Sequence, residues 1–183
     1  MTEPHRPDAQ AADAVVLSPD ALGSALRDIV EFVDDTGWEQ PPILFALVPT
    51  SVLAERQPEL VSPDDDSELS PIAQEPLHHA TTDADLERVL ATTSWPDGVA
   101  GAALIQEIVI VPPGSDTEDS DTAVNRRNGR TARLAVGALR DGRTLALLHL
   151  RPEPGETVDK LELRTASDLA PELRAALRQT LAD

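Results

Sequence analysis

The chain has 183 residues, among them no cysteine, no tyrosine, two phenylalanines and two tryptophans. The lack of cysteine excludes disulfides, thiolate nucleophiles and cysteine-ligated zinc. Proteins that bind single strands stack bases on several aromatic rings of one surface, and four scattered rings do not supply that surface. At this length a folded chain buries about 70% of its extended surface, so an aliphatic core is expected to suffice.

Long apolar runs are also missing, and no stretch of about 18 apolar residues could span a membrane. Residues 1–14 are polar and charged and lack the apolar region of a secretory signal. We therefore expect residues 1–17 to form a disordered leader and residues 18–183 a single domain. The absence of both a signal and cysteine favours a cytoplasmic location.

Positive charge is scarce, because 15 basic residues face 33 acidic ones and the net charge is −18. Nucleic acids and acidic membranes are bound by clustered lysine and arginine, and a field of this sign opposes their approach. The one basic cluster, Arg126 to Arg133, directly follows an acidic run. We expect neither a nucleic acid nor a membrane as a partner.

Hydrophobic spacing predicts most of the secondary structure. A helix is predicted over 19–35, with Ser18 as N-cap and Pro19 in its first turn. Thr82 and Asp85 have the spacing of a capping box that starts another helix. The other predicted elements are strands at 43–48, 69–75 and 99–111, a short helix ending at Arg56, and a helix over 168–181 in which Pro171 lies in the first turn.

Asp141-Gly142 separates two apolar runs, 131–139 and 144–150, and this pair favours a two-residue hairpin turn. Such a turn would pair Arg140 with Arg143 and Leu134 with His149. Both faces of the ribbon would then be apolar, so helices or a second subunit must cover both.

Two further segments complete the predicted organisation. Residues 112–130 carry too little apolar surface to fold and are expected to form a disordered acidic loop. Residues 158–164 alternate apolar and charged side chains, which is typical of an edge strand. Together these patterns predict an α+β fold: a single, mostly antiparallel sheet of about five strands with helices packed on it.

Several short stretches resemble a known family. They are Ser94-Trp95-Pro96-Asp97-Gly98-Val99-Ala100-Gly101-Ala102-Ala103, Gln106-Glu107, Pro112-Pro113 and Leu139-Arg140-Asp141-Gly142-Arg143. They look like an uncharacterised family of small acidic actinobacterial proteins, and the resemblance runs from about residue 19 to the C-terminus. It implies a cytoplasmic actinobacterial protein and carries no catalytic motif.

Two carboxylates in predicted strands are the first candidate site residues. Glu75 and Glu107 would converge if their strands were neighbours, and each would then raise the pKa of the other. Glu107 interrupts an apolar strand, so it needs a partner such as Arg133, Arg140 or Arg143. A structural ion pair is the commoner reason for such a residue.

The remaining candidates are single side chains. Trp95 either forms part of a ligand shelf with Trp38 or closes one end of the core. His149 is a candidate general base, because histidine is the residue type suited to that role near neutral pH, but no nucleophile accompanies it in the sequence. His78-His79 near Asp83 lack converging ligands, so we expect no metal site and no cofactor. No catalytic residue is assigned.

The sequence favours a non-enzymatic accessory or interaction protein that binds a protein partner or associates with itself. The lack of a catalytic constellation and the two apolar sheet faces motivate this hypothesis. The alternative is a small-molecule-binding enzyme or sensor that uses Glu107 and a neighbouring arginine.

Overall fold

A computed structural model describes residues 16–110, 129–155 and 162–182. The strands are β1 (Ile43–Pro49), β2 (Leu69–Ala73), β3 (Gly101–Ile110), β4 (Arg130–Leu139) and β5 (Thr144–Leu150). The helices are α1 (Ala21–Thr36), α2 (Thr50–Arg56), α3 (Asp83–Thr92) and α4 (Pro171–Thr180), with a 3₁₀ turn at Pro58–Leu60. The predicted leader lies outside the described residues except for Val16 and Leu17. The predicted acidic loop, 112–130, also lies outside the described residues except for its last two, and the last of these, Arg130, is the first residue of β4.

The five strands form one antiparallel sheet in the order β2-β1-β3-β4-β5. This confirms the predicted α+β fold. Pro71 lies in the outermost strand, β2, where a missing backbone donor is tolerated. At the other edge, Arg164 forms an isolated bridge to Leu148 of β5. Residues 162 and 163 of the predicted edge strand are not in a strand, and residues 158–161 fall outside the described residues.

Helices cover both faces of the sheet, as its two apolar faces require. The apolar stripe of α1, which includes Leu22, Leu26, Ile29 and Val30, packs on one face against Phe45, Ala103 and Ala135. Helices α3 and α4 pack on the other face, where Leu86, Leu90 and Leu177 contact Leu104, Leu134 and Val136. The central strands are therefore buried from both sides, between α1 on one face and α3 with α4 on the other.

The hairpin between β4 and β5 differs from the prediction by one residue. Leu139 pairs with Arg143, and the loop contains three residues, of which Gly142 has a φ of 99°. A type I turn followed by a left-handed glycine gives this three-residue loop, and Asp-Gly suits it as well. Because side chains alternate, the shift moves β5 by one position: His149 lies opposite Arg133, and Leu134 opposite Leu148.

Helix starts were predicted with mixed success. Thr82 caps α3 by accepting a hydrogen bond of 3.1 Å from the Asp85 backbone N–H, and Pro171 lies in the first turn of α4, as predicted. Ser18 does not cap α1. Its hydroxyl donates to the Glu68 carboxylate and its backbone N–H donates to the same group, which joins the start of α1 to β2.

Candidate functional site

Three polar side chains form a row across the α1 face of the sheet: Glu107 on β3, Arg133 on β4 and His149 on β5. The strand register places Glu107 directly opposite Arg133, and Arg133 directly opposite His149. The row lies at the end of the sheet where α1 finishes and the chain turns towards β1. Two of the predicted candidates, Glu107 and His149, are thus separated by one arginine.

Arg133 is almost completely buried, with 1% of its side chain exposed. Its Nη1 donates to Asp34 Oδ1 at 2.5 Å, and its Nη2 donates to the carbonyl oxygen of Gly37. The guanidinium lies 4.0 Å from the centre of the Trp38 ring, within range of a cation–π contact. A buried cation requires compensating partners, and all three belong to the end of α1 and the turn after it.

His149 and Trp38 extend this cluster towards the sheet edge. Their rings stack with centroids 5.8 Å apart and planes 25° from parallel. His149 Nδ1 lies 3.3 Å from the Glu162 carbonyl oxygen, and its Nε2 lies 3.7 Å from Asp34 Oδ1. Both ring nitrogens therefore face oxygens of the protein, and the ring is 4% exposed. This environment holds the imidazole in the fold through contacts with Trp38, Asp34 and Glu162.

The Glu107 carboxylate binds backbone, although Arg133 is its cross-strand neighbour. Its Oε1 accepts the Glu39 N–H at 3.0 Å, and its Oε2 accepts the Gln40 N–H at 2.6 Å. Glu39 has a φ of 68°, an unusual conformation for a side-chain-bearing residue. The cavity beside Glu107 and Arg133 has a volume of about 10 Å³, room for roughly one water molecule. The arrangement fixes the turn between α1 and β1 and has no space for a substrate.

The other predicted site residues lie elsewhere. Glu75 is exposed beyond the end of β2, and β1 separates β2 from the strand that carries Glu107. The condition for convergence of the two carboxylates, neighbouring strands, is therefore not met. Trp95 and Arg140 belong to the α3–α4 side of the molecule. The five candidates do not form one site.

Trp95 and Arg140 connect the end of α3 to the end of α4. The Trp95 Nε1 donates to Thr180 Oγ1 at 3.0 Å. The Arg140 guanidinium donates to the carbonyl oxygens of Leu181 and Val99, each at 2.7 Å, and to that of Trp95 at 3.1 Å. These contacts hold the α3–β3 connection against the C-terminal end of α4.

A groove of about 670 Å³ lies between α3 and α4, and we call it the α3–α4 groove. Its apolar lining includes Leu86 and Leu90 from α3, Leu173 and Ala176 from α4, and Ile108 from β3. Acidic side chains on both helices also line it: Asp83, Glu87 and Glu172. No lysine or arginine of the described ranges lines it. Within the described part of the chain, the carboxylates of Glu87 and Glu172 make no hydrogen bond or ion pair.

Only part of this groove could be predicted from the sequence. The leucines of the last helix predicted an apolar stripe, and Leu86, Val89 and Leu90 predicted another, but neither pattern showed that the two helices are neighbours. At the start of α3, hydrogen bonds from the Thr82 hydroxyl and backbone hold the pKa of Asp85 below its ordinary value. That carboxylate thus stays ionised near the groove at neutral pH.

A family model described as PPA1309-like protein matches residues 22–182. The chain belongs to this family. The match begins within α1 and ends just after α4, so it includes every strand of the sheet and both walls of the α3–α4 groove. Neither a curated protein nor a solved structure matches the chain. The expected resemblance to an uncharacterised family is thereby supported at family level, and the actinobacterial origin stays a prediction.

Metal-binding clusters and membrane-spanning helices are both absent from the described ranges of this PPA1309-like family member. No group of three or more histidine, aspartate or glutamate side chains in these ranges could hold a metal ion. No helix there is both long enough and apolar enough to cross a membrane. The α3–α4 groove combines open space and an apolar lining with two glutamates, Glu87 and Glu172, that have no partner in the described structure.

Proposed function

We propose that this protein is a non-enzymatic interaction protein that binds a polypeptide segment of a partner in the α3–α4 groove. The supporting observation is the groove itself: two helices of ten residues flank an apolar channel over the end of β3. Helix pairs of this kind bind amphipathic segments by burying their apolar side chains. A volume of about 670 Å³ accommodates several such side chains.

The sheet faces no longer support self-association, because α1 covers one and α3 with α4 cover the other. A second copy would also bring another strongly acidic surface to the groove, since the chain has a net charge of −18. We therefore favour a different protein as the occupant. A second copy remains an outcome that the experiment below distinguishes.

The alternative function, a small-molecule enzyme or sensor built on Glu107, has less support. Both oxygens of that carboxylate accept backbone N–H groups, and the neighbouring Arg133 donates to Asp34 and Gly37. Each group is thus engaged in holding the turn after α1. A catalytic carboxylate needs an approach for substrate, and the adjoining cavity of about 10 Å³ offers none.

Site-specific cross-linking tests the proposal. Because the chain has no cysteine, an introduced cysteine is the single point at which a cross-linker attaches. Ala91→Cys places a single thiol on the exposed rim of the groove, and Asp35→Cys places one on α1 across the sheet. Each variant carries a photoactivatable benzophenone and is irradiated in extracts of the cells that produce the protein. We expect a discrete cross-linked product from position 91 that position 35 does not give.

The product must also depend on the apolar lining. Leu173→Ser in the Ala91→Cys chain should abolish it, while Ile108→Ser provides a second, independent change if the first alters the melting temperature. The same product from both thiols, or none from position 91, would contradict the proposal. A product of twice the chain mass, together with a dimer by light scattering, would show that the groove binds a second copy of this chain and not a different protein.

A further inference from the structure

The chemistry of the groove defines the segment that it would bind. The inference rests on the proposed function and concerns the partner's charge and shape. Acidic side chains line both walls: Asp83 and Glu87 on α3, and Glu172 on α4. Among the residues that the structure describes, no basic side chain lines the groove to neutralise them. We propose that the occupant is a short amphipathic helix with apolar residues on one face and arginines or lysines along its flanks.

The apolar part of the groove sets the spacing of the occupant's apolar residues. Leu90, Leu173 and Ile108 come from three different elements, so they form a channel rather than a single flat patch. A helix lying in a channel presents residues i, i+3 or i+4, and i+7 to it. Each wall has ten residues, about 15 Å of helix, and therefore matches roughly three turns of an occupant.

The carboxylates set the sign of the occupant's charge. Glu87 is exposed on α3 and Glu172 is exposed on α4, so the two sit on opposite walls. Neither makes a hydrogen bond or ion pair within the described structure. A basic side chain on either flank of a bound helix would meet one of them. An acidic segment would meet repulsion on both walls and from the net charge of −18.

Binding of synthetic peptides to the full-length protein tests this inference. The first probe is a fluorescent peptide of about 14 residues with leucines at helical spacing and arginines and lysines at the other positions. The second keeps the leucines and replaces every basic residue by glutamate. The third keeps the basic composition and scrambles the leucine positions. Fluorescence anisotropy should show binding of the first peptide alone, weakening as salt is raised.

Protein variants locate the binding. The double variant Glu87→Gln with Glu172→Gln should lower the affinity for the basic peptide by about fivefold, the size expected for two exposed ion pairs. Glu31→Gln with Glu55→Gln removes the same charge from the solvent-exposed surfaces of α1 and α2, and should leave the affinity within about twofold. Equal losses from both double variants would show a non-specific charge effect and would overturn the inference.

The outcomes separate this inference from the proposed function. If position 91 cross-links a partner but the acidic peptide binds as well as the basic one, the inference is wrong and the proposed function stands. If the scrambled peptide binds as tightly as the first peptide, charge alone drives binding, and the proposal that the occupant is an amphipathic helix is wrong. If position 91 gives no product and the first peptide does not bind, both proposals fail.

Discussion

The Glu107 carboxylate on β3 holds the backbone N–H of Gln40 at a distance of 2.6 Å, and the Glu39 N–H at 3.0 Å. This contact joins the centre of the sheet to the turn that follows α1. A half-buried carboxylate is used here as a backbone acceptor, a structural role that explains why it interrupts an otherwise apolar strand.

Glu107→Gln should therefore lower stability. The amide keeps one acceptor oxygen but presents an N–H₂ donor to a backbone donor, and loses a charge-assisted bond worth about 1.5–3 kcal/mol. Urea denaturation measures the loss. Glu75→Gln is the matched control because Glu75 is exposed, and it should change stability by less than about 0.5 kcal/mol. If Glu107→Gln leaves the free energy of unfolding unchanged, the structural role of this carboxylate is wrong, and Glu107 is again a candidate functional residue.

Arg133 and Asp34 should contribute unequally to stability. Arg133→Met loses the bonds to Asp34 and Gly37 and the Trp38 contact, and should cost about 3 kcal/mol or more. Asp34→Asn keeps the last two contacts, and its side chain is 41% exposed, so about 1 kcal/mol is expected. Denaturation followed by Trp38 fluorescence in a Trp95→Phe background measures both. Equal costs would mean that the Asp34 contact accounts for the whole effect.

Gly101 should tolerate an added methyl group less well than Gly137. A Cβ there would lie 2.5 Å from the Ala138 carbonyl oxygen, a backbone atom of the neighbouring strand. At Gly137 the nearest atom, 2.8 Å away, belongs to the Leu22 side chain, which can move. Gly101→Ala should cost about 3 kcal/mol and Gly137→Ala about 1 kcal/mol. Thermal melts followed by circular dichroism rank them, with Gly98→Ala as a mild control, and the reverse order would refute this packing.

Asp28 on α1 should be destabilising when ionised. Burial raises the pKa of Asp28 above its ordinary value, and the nearby carboxylates of Glu31 and Asp65 raise it further. The folded state thus disfavours the charged form, a cost present in full above the folded pKa and absent below the unfolded pKa of about 3.8. Asp28→Asn should raise the melting temperature by about 1–2 °C at pH 7, since the group is largely solvated.

The gain from Asp28→Asn should shrink as the pH falls towards 3.5. Asp35→Asn, also on α1 but exposed, provides the comparison. A gain that is independent of pH would indicate a change in helix propensity instead of relief of a charge penalty.

Local patterns predicted the elements well, because apolar spacing and capping residues act within a few residues. Thr82 at the start of α3 and Pro171 in the first turn of α4 are examples. The predicted hairpin register was wrong by one residue, because the local pair Asp141-Gly142 suits both two-residue and three-residue loops. Only the pairing of whole strands selects between them, and that choice decided whether His149 faced Leu134 or Arg133.

The candidate sites depended on tertiary arrangement and were harder to predict. Glu107 was expected to need a partner, but the backbone N–H groups that it binds come from a turn about 67 residues earlier in the chain. The Glu75 hypothesis required β2 and β3 to be neighbours, and no sequence pattern revealed that β1 lies between them. The α3–α4 groove arises because elements far apart in sequence pack on the same face of the sheet.

The contacts from Trp95 to Thr180 and from Arg140 to Leu181 bring the C-terminal ends of α3 and α4 together. Asp83 and Glu172, in the first turns of the two helices, line the same groove, so the helices point in the same general direction. Parallel helices add their macrodipoles instead of cancelling them, and the partial negative charges of both C-termini accumulate at one end. Arg140 places its guanidinium at that end, where it offsets this potential. The opposite end combines two N-termini with the carboxylates of Asp83, Asp85 and Glu172, so side chains of opposite sign offset the helix dipoles at both ends of the groove.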